Sequence, residues 1–161
     1  MHWLEKLARV SAVLAGVLLT LITLMTCASV IGRNLFGATL AGDFELTGVA
    51  TGLAIALFMP LCQYHRGNII VDFFTVRASP LTTDRLDRFG ALLVALVMAL
   101  LAWRTALGGI NAWNNHGESM LLGFPDWLVY AGMAPPMALT AAIALWQATG
   151  TQPIMAEGPP L

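Results

Sequence analysis

The sequence predicts an all-α membrane protein, a single domain over residues 1–150 that holds four transmembrane helices. Three observations carry that prediction. Hydrophobic residues make up 58% of the 161 residues and charged residues only 11%, where a water-soluble domain carries about 25% charged. The mean hydropathy is +0.75. The apolar residues gather in four long runs, and none of these alternates apolar with polar. A membrane helix needs about 20 apolar residues to cross about 30 Å of hydrocarbon. Lipid offers no partner to a free N–H or C=O, so only helices or closed barrels span it. The missing alternation excludes the barrel.

The first span is expected at about 10–32. It is uncharged and closes at Arg33-Asn34. Lys6 and Arg9 before it give the look of an export signal, but the run exceeds the 7–15 residues of a signal core and no A-x-A-like site follows, so it is expected to be retained. The second span, about 46–64, lies between Glu45 and Arg66. The third, about 86–108, carries Arg104, whose long stem lets the charge reach the headgroups. Gly108-Gly109 reads as its end. The fourth, about 127–148, is uncharged and contains Pro135-Pro136, which should bend it.

Between spans two and three, Ile69 to Val76 is apolar but too short to cross, so it is expected to lie along the membrane surface as a short interfacial helix. Ser79-Pro80 then reads as the N-cap and first residue of the next helix. Six basic residues (Lys6, Arg9, Arg66, Arg77, Arg85, Arg88) fall on one side of the four spans and two, Arg33 and Arg104, on the other. The positive-inside rule then places both termini and the interfacial helix in the cytoplasm. Trp3, Trp113, Trp127 and Trp146 fall near the expected interfaces. Residues 151–161, with three prolines, are expected to form a disordered tail.

Chemistry-bearing motifs are missing. His2, His65 and His116 all lie outside the spans, so bis-histidine haem ligation has no residues to use. No metal-ligand spacing, phosphate loop or nucleophile motif occurs, and Cys27 and Cys62 sit in apolar runs as small hydrophobes. The expectation is a chain that is not an enzyme, with no cofactor and no metal. A net charge of −1 gives no basic field for nucleic acid. The hydroxyls inside the spans (Thr20, Thr23, Thr26, Ser29, Thr51, Thr140) are expected to bond back to helix backbone or a neighbour rather than form an ion path.

Helix-packing signals are present. Gly48 and Gly52 form a small-xxx-small pair, and Ala91, Ala95 and Ala99 recur every fourth residue. Small residues at this spacing let helix backbones approach closely, within the chain or against a partner. Arg33, Glu45, Asp72 and Arg104 are expected to hold helix ends at the two membrane surfaces, with lipid bound at the Trp- and Arg-rich ends.

The order of features resembles the small membrane subunit, or Q-type subunit, of tripartite ATP-independent periplasmic (TRAP) transporters over about residues 5–148. The resemblance rests on Arg33-Asn34 and Glu45, then on Arg66-Gly67-Asn68-Ile69-Ile70-Val71-Asp72, on Pro80 and Arg85-Leu86-Asp87, and on Ser119-Met120-Leu121 with Gly123-Phe124-Pro125-Asp126-Trp127. The family often has Gly-His-Ile-x-Val-Asp at the central motif; here Asn68 stands in place of that His and keeps a hydrogen-bonding side chain. The resemblance implies a role beside two partners in a bacterial inner membrane. A periplasmic binding protein captures a small organic acid, often a carboxylate, and a large multi-span subunit moves it with a coupling ion, usually Na⁺. The small subunit braces the large one and could add to the docking surface for the binding protein.

Two other readings compete. A self-contained homo-oligomeric transporter, like the small four-helix multidrug exporters, would typically need an acidic residue embedded in the first span, which has none. A membrane anchor or assembly subunit of another complex is separated from the scaffold reading only by the family motifs.

Overall fold

The computed structural model describes residues 2–37, 42–67 and 80–150. Among these, four helices are long and apolar enough to cross a membrane: α1 His2–Phe36, α2 Asp43–Tyr64, α3 Pro80–Asn114 and α4 Trp127–Ala148. The expected interfacial helix, Ser79 and the tail lie outside the described residues. At about 1.5 Å per residue, α1 and α3, with 35 residues each, run about 50 Å. That is well beyond the roughly 30 Å of hydrocarbon. α2 and α4, with 22 residues each, are close to a single crossing.

The helices stand in the order α1–α2–α4–α3. α1 packs chiefly on α2, α2 on α4 and α4 on α3, while α3 touches neither α1 nor α2 among the described residues. The two short helices are therefore the inner pair and the two long ones flank them. One end of the row carries the α1–α2 and α3–α4 connections; the other carries the start of α1 and the ends of α2 and α4.

Small residues make the seams. On α1, Ala8, Ser11, Ala15, Ile22 and Ser29 are buried and Leu18 and Met25 half-buried, at alternating steps of three and four. On α3 the same alternation runs through Ala91, Ala95, Met98, Ala102, Thr105, Gly109 and Ala112, of which Ala95 is buried and the rest half-buried. A 3.5-residue repeat is the spacing at which paired helices keep one face together over many turns. On α4, Pro136, Thr140, Ile143 and Gln147 are buried.

Gly108-Gly109 does not end α3, contrary to the expectation from the sequence; the helix runs on to Asn114. The reason is packing. Tyr130 of α4 lies across the pair, so that a Cβ on Gly108 would stand 3.1 Å from its ring and a Cβ on Gly109 3.0 Å from its Cβ. Close contact offsets the roughly 1 kcal/mol that each glycine costs a helix. α4 likewise continues through Pro135-Pro136. Several hydroxyls bond back to their own helix: Thr20 to Gly16 O, Thr23 to Leu19 O, Thr26 to Ile22 O and Thr140 to Pro136 O.

Where α2 and α4 end, two buried amides clasp them. Gln63 Nε2 donates to Gln147 Oε1 at 2.7 Å, and Gln147 Nε2 donates to the carbonyls of Gln63 at 2.8 Å and Tyr64 at 3.3 Å. The last carbonyls of a helix have no intrahelical donor, so Gln147 serves α2 as a cap supplied from its neighbour. Tyr64 stacks on Trp146 at 6.4 Å between centroids and its hydroxyl reaches Glu5 Oε2 at 3.4 Å, while Glu5 pairs with Arg9 at 2.8 Å.

Two outcomes are expected for the chain alone in detergent. Gly109→Leu forces α3 from Tyr130 and should cost about 1–3 kcal/mol, read as a lowered thermal midpoint, whereas Gly48→Leu, with nothing within 4 Å of an added Cβ, should change stability by less than about 0.5 kcal/mol. Gln147→Leu should cost about 1–2 kcal/mol, because it strands two carbonyls and an amide away from water; an unchanged unfolding midpoint would remove the clasp from the stabilising contacts.

Candidate functional site

At the connection end, charged and polar groups fasten one helical hairpin to the other. Gly42 precedes α2 with φ +80°, a conformation that glycine adopts without strain. Asp43 follows it and accepts a hydrogen bond from Ser29 Oγ of α1. Glu45 Oε2 accepts from the backbone N–H of Leu122, in the α3–α4 connection, at 3.3 Å. The Leu122 side chain covers Gly42 so closely that a Cβ there would fall 2.5 Å from it. Acidic residues in the first turn also suit the positive end of the helix dipole.

The α3–α4 connection is itself a tight loop. Glu118 and Pro125 form an antiparallel bridge. Ser119 N donates to Phe124 O at 2.9 Å and Phe124 N to Ser119 Oγ at 3.1 Å, while Asp126 N donates to Gly117 O at 2.9 Å. The loop therefore presents Met120, fully exposed, and Leu121, 70% exposed. Trp113 and Trp127 meet edge to face at its base, 4.8 Å between centroids.

Arg104 stands ten residues inside the end of α3. It is exposed, and among the described residues it forms no ion pair or hydrogen bond. Its side chain shares a notch with Leu107, Gly108, Asn111 and Asn114, all toward the connection end. An arginine near the centre of a membrane helix costs about 2.5–3.5 kcal/mol on insertion scales, so this one calls for an anion or for access to the headgroups.

α2 carries an unfilled seam. Phe44, Gly48, Thr51, Ile55, Phe58 and Cys62 are all exposed and follow one another at steps of four and three. No part of the described chain covers Gly48, whereas Gly52 meets Met133 of α4 at 3.9 Å. The Gly48/Gly52 pair is thus divided between an outward and an inward face. The alanine series on α3 divides in the same way: Ala91 and Ala95 lie on the seam with α4, and Ala99 is exposed and lines an open cleft between the two helices.

The remaining sequence candidates are scattered. Arg33 is exposed near the end of α1, Arg85 is exposed near the start of α3, and Arg66, with φ 51°, follows α2. Pro125 and Trp127 sit together at the entry to α4. Asn68 and Asp72 lie outside the described residues. Among the described residues no three His, Cys, Asp or Glu side chains converge. Sequence reading overlooked the Gln63–Gln147 clasp, whose signal was an amide one turn or less inside the end of each of two apolar spans, and Tyr130, which gave no signal until its two glycines were opposite it.

Neither a curated protein nor a solved structure matches the chain. The family of tripartite ATP-independent periplasmic transporters, DctQ component, matches residues 22–151. That stretch takes in the last part of α1 and all of α2, α3 and α4, including the Glu45–Leu122 contact and the Trp113–Trp127 pair. The chain belongs to this family and is a multi-pass membrane subunit of a tripartite transporter.

Proposed function

We propose that this chain is a non-catalytic scaffold subunit that braces a larger multi-span subunit in a bacterial inner membrane. The observation that carries the reading is the unfilled seam on α2. Phe44, Gly48, Thr51, Ile55, Phe58 and Cys62 repeat the three-four spacing that α1 and α3 use for their own helix contacts. A glycine with open space above it gives a partner helix room for close approach. The chain also buries little of itself: at most 22% of the most apolar window of any span lies inside it.

The rest of the reading follows from this role and from the family. Basic residues favour the end of the row with the chain N-terminus as the cytoplasmic one. The Glu45–Leu122 contact and the exposed Met120-Leu121 tip then face the periplasm, where a substrate-binding protein would arrive. Transport would be secondary-active and ion-coupled, with a small organic acid, a carboxylate, as cargo. The large subunit would carry substrate and ion while the short inner helices α2 and α4, clasped at both ends, hold still against its movement.

Gly48→Trp fills the seam without touching the chain's own core. It should lower recovery of the large subunit on a tagged chain from native membrane by about tenfold, a change of about 1.4 kcal/mol, and slow uptake in proportion, with the thermal midpoint of the isolated chain unchanged. Full-rate transport by the large subunit after deletion of this chain would overturn the scaffold role.

A further inference from the structure

We propose that the outward face of α3 is a second contact with the large subunit, keyed by an ion pair between Arg104 and a carboxylate on one of that subunit's membrane helices. The proposal rests on the scaffold reading above and adds a charge to it. Val97, Leu100, Arg104, Leu107, Asn111 and Asn114 are all exposed and follow one another at alternating steps of three and four. At 3.6 residues per turn this stripe lies about half a turn from Thr105 and Gly109, which meet Met137 and Tyr130 of α4. Among the described residues α3 packs on α4 alone, so none of them covers the stripe. The depth of Arg104 follows from a contact at each end of α3. Trp113 meets Trp127 edge to face, at the level of an aromatic belt. At the other end the Arg88 guanidinium lies over Gly150, just past α4. Arg104 is nine residues from Trp113 and sixteen from Arg88, about 14 Å and 24 Å along the helix at 1.5 Å per residue. With about 30 Å of hydrocarbon between the two levels, Arg104 stands closer to the middle of the bilayer than to either surface.

Charge selects the occupant. Ionisable groups at this depth face protein or water and pair with an opposite charge, and Arg104 has no anion of its own among the described residues. A second copy of this chain cannot supply one. None of its nine acidic residues falls within 10–32, 46–64, 89–113 or 127–148, so a copy brings no carboxylate to the level of Arg104. Two copies side by side in parallel would set Arg104 against Arg104, a like-charge contact. The occupant that fits is a helix of another protein with an Asp or Glu at that level. A guanidinium takes a carboxylate through two parallel N–H···O bonds. Asn111 and Asn114, which share a notch with Arg104, offer amides to the same helix closer to the surface, a form of contact common between membrane helices. One charged position in an otherwise apolar stretch of stripe also fixes register. A partner helix slid by a turn would leave both charges unpaired in lipid, so the pair sets the height at which the scaffold is held.

The test is photocrosslinking and co-purification from membranes that hold the whole transporter. Benzoylphenylalanine is placed at Leu100 or Leu107, which flank Arg104 on the stripe, and separately at Ile55 on the α2 seam. All three positions should capture the large subunit. Arg104→Gln should lower recovery of the large subunit on the tagged chain at least about tenfold, as truncation of one member of a desolvated charge pair does. The thermal midpoint of the isolated chain should not move. Arg104→Glu should lose recovery too, and regain it when one membrane-embedded Asp or Glu of the large subunit, changed one at a time, is replaced by Arg. Capture at Ile55 with only lipid at Leu100 and Leu107 leaves the scaffold reading standing and overturns this proposal, with Arg104 reaching to the headgroups. No capture at any of the three overturns both. Capture at all three with recovery unchanged in Arg104→Gln, or with no rescue of Arg104→Glu, overturns the ion pair and leaves an apolar contact.

Discussion

Lipid tails are as apolar as leucine, so helices inside a bilayer gain no hydrophobic free energy by meeting. They associate through close packing and a few hydrogen bonds, and the architecture of this protein depends on that constraint. Each helix contact is lined with Ala, Ser, Gly or Thr. Ala8, Ser11 and Ala15 are buried along α1, and Ala91, Ala95 and Gly109 bring α3 onto α4. Where a large side chain enters a seam, a glycine faces it: Leu53 over Gly132, and Tyr130 over Gly108 and Gly109. The bulky apolar residues point the other way, into lipid or toward a partner. Inside and outside are thus reversed from the habit of a water-soluble bundle, in which large residues fill the core.

Close packing alone leaves helices free to slide along their seams, and polar contacts at the two ends oppose this. At one end the Gln63–Gln147 clasp joins α2 to α4 with three hydrogen bonds. At the other, Asp43 takes the hydroxyl of Ser29 and Glu45 takes the N–H of Leu122, so the start of α2 holds both α1 and the α3–α4 connection. α2 is therefore the member through which the two hairpins are joined, and it is also the one with an unfilled packing face. A helix fastened at both ends, with one face left exposed, suits the scaffold role proposed above.

Arg104 shows how the same constraint works on charge. In water an exposed arginine would need no explanation. Within a membrane helix it needs an anion or a reach to the headgroups.

Much of the fold was legible in the sequence. Span number followed from length and hydropathy, because the thickness of the bilayer sets how many apolar residues a crossing helix needs. The family features around Glu45 and Gly123-Phe124-Pro125-Asp126-Trp127 could also be read directly, and the chain is a member of the family they suggested. Tertiary structure decided the order of the helices, because apolar helices carry no one-dimensional code for their neighbours. It decided that Gly48 faces outward while Gly52 faces α4, and that Gly108-Gly109 lies within a helix instead of ending one. It also paired Gln63 with Gln147, 84 residues apart. Local physics determined that these helices exist, and only packing between distant residues determined what each of their faces meets.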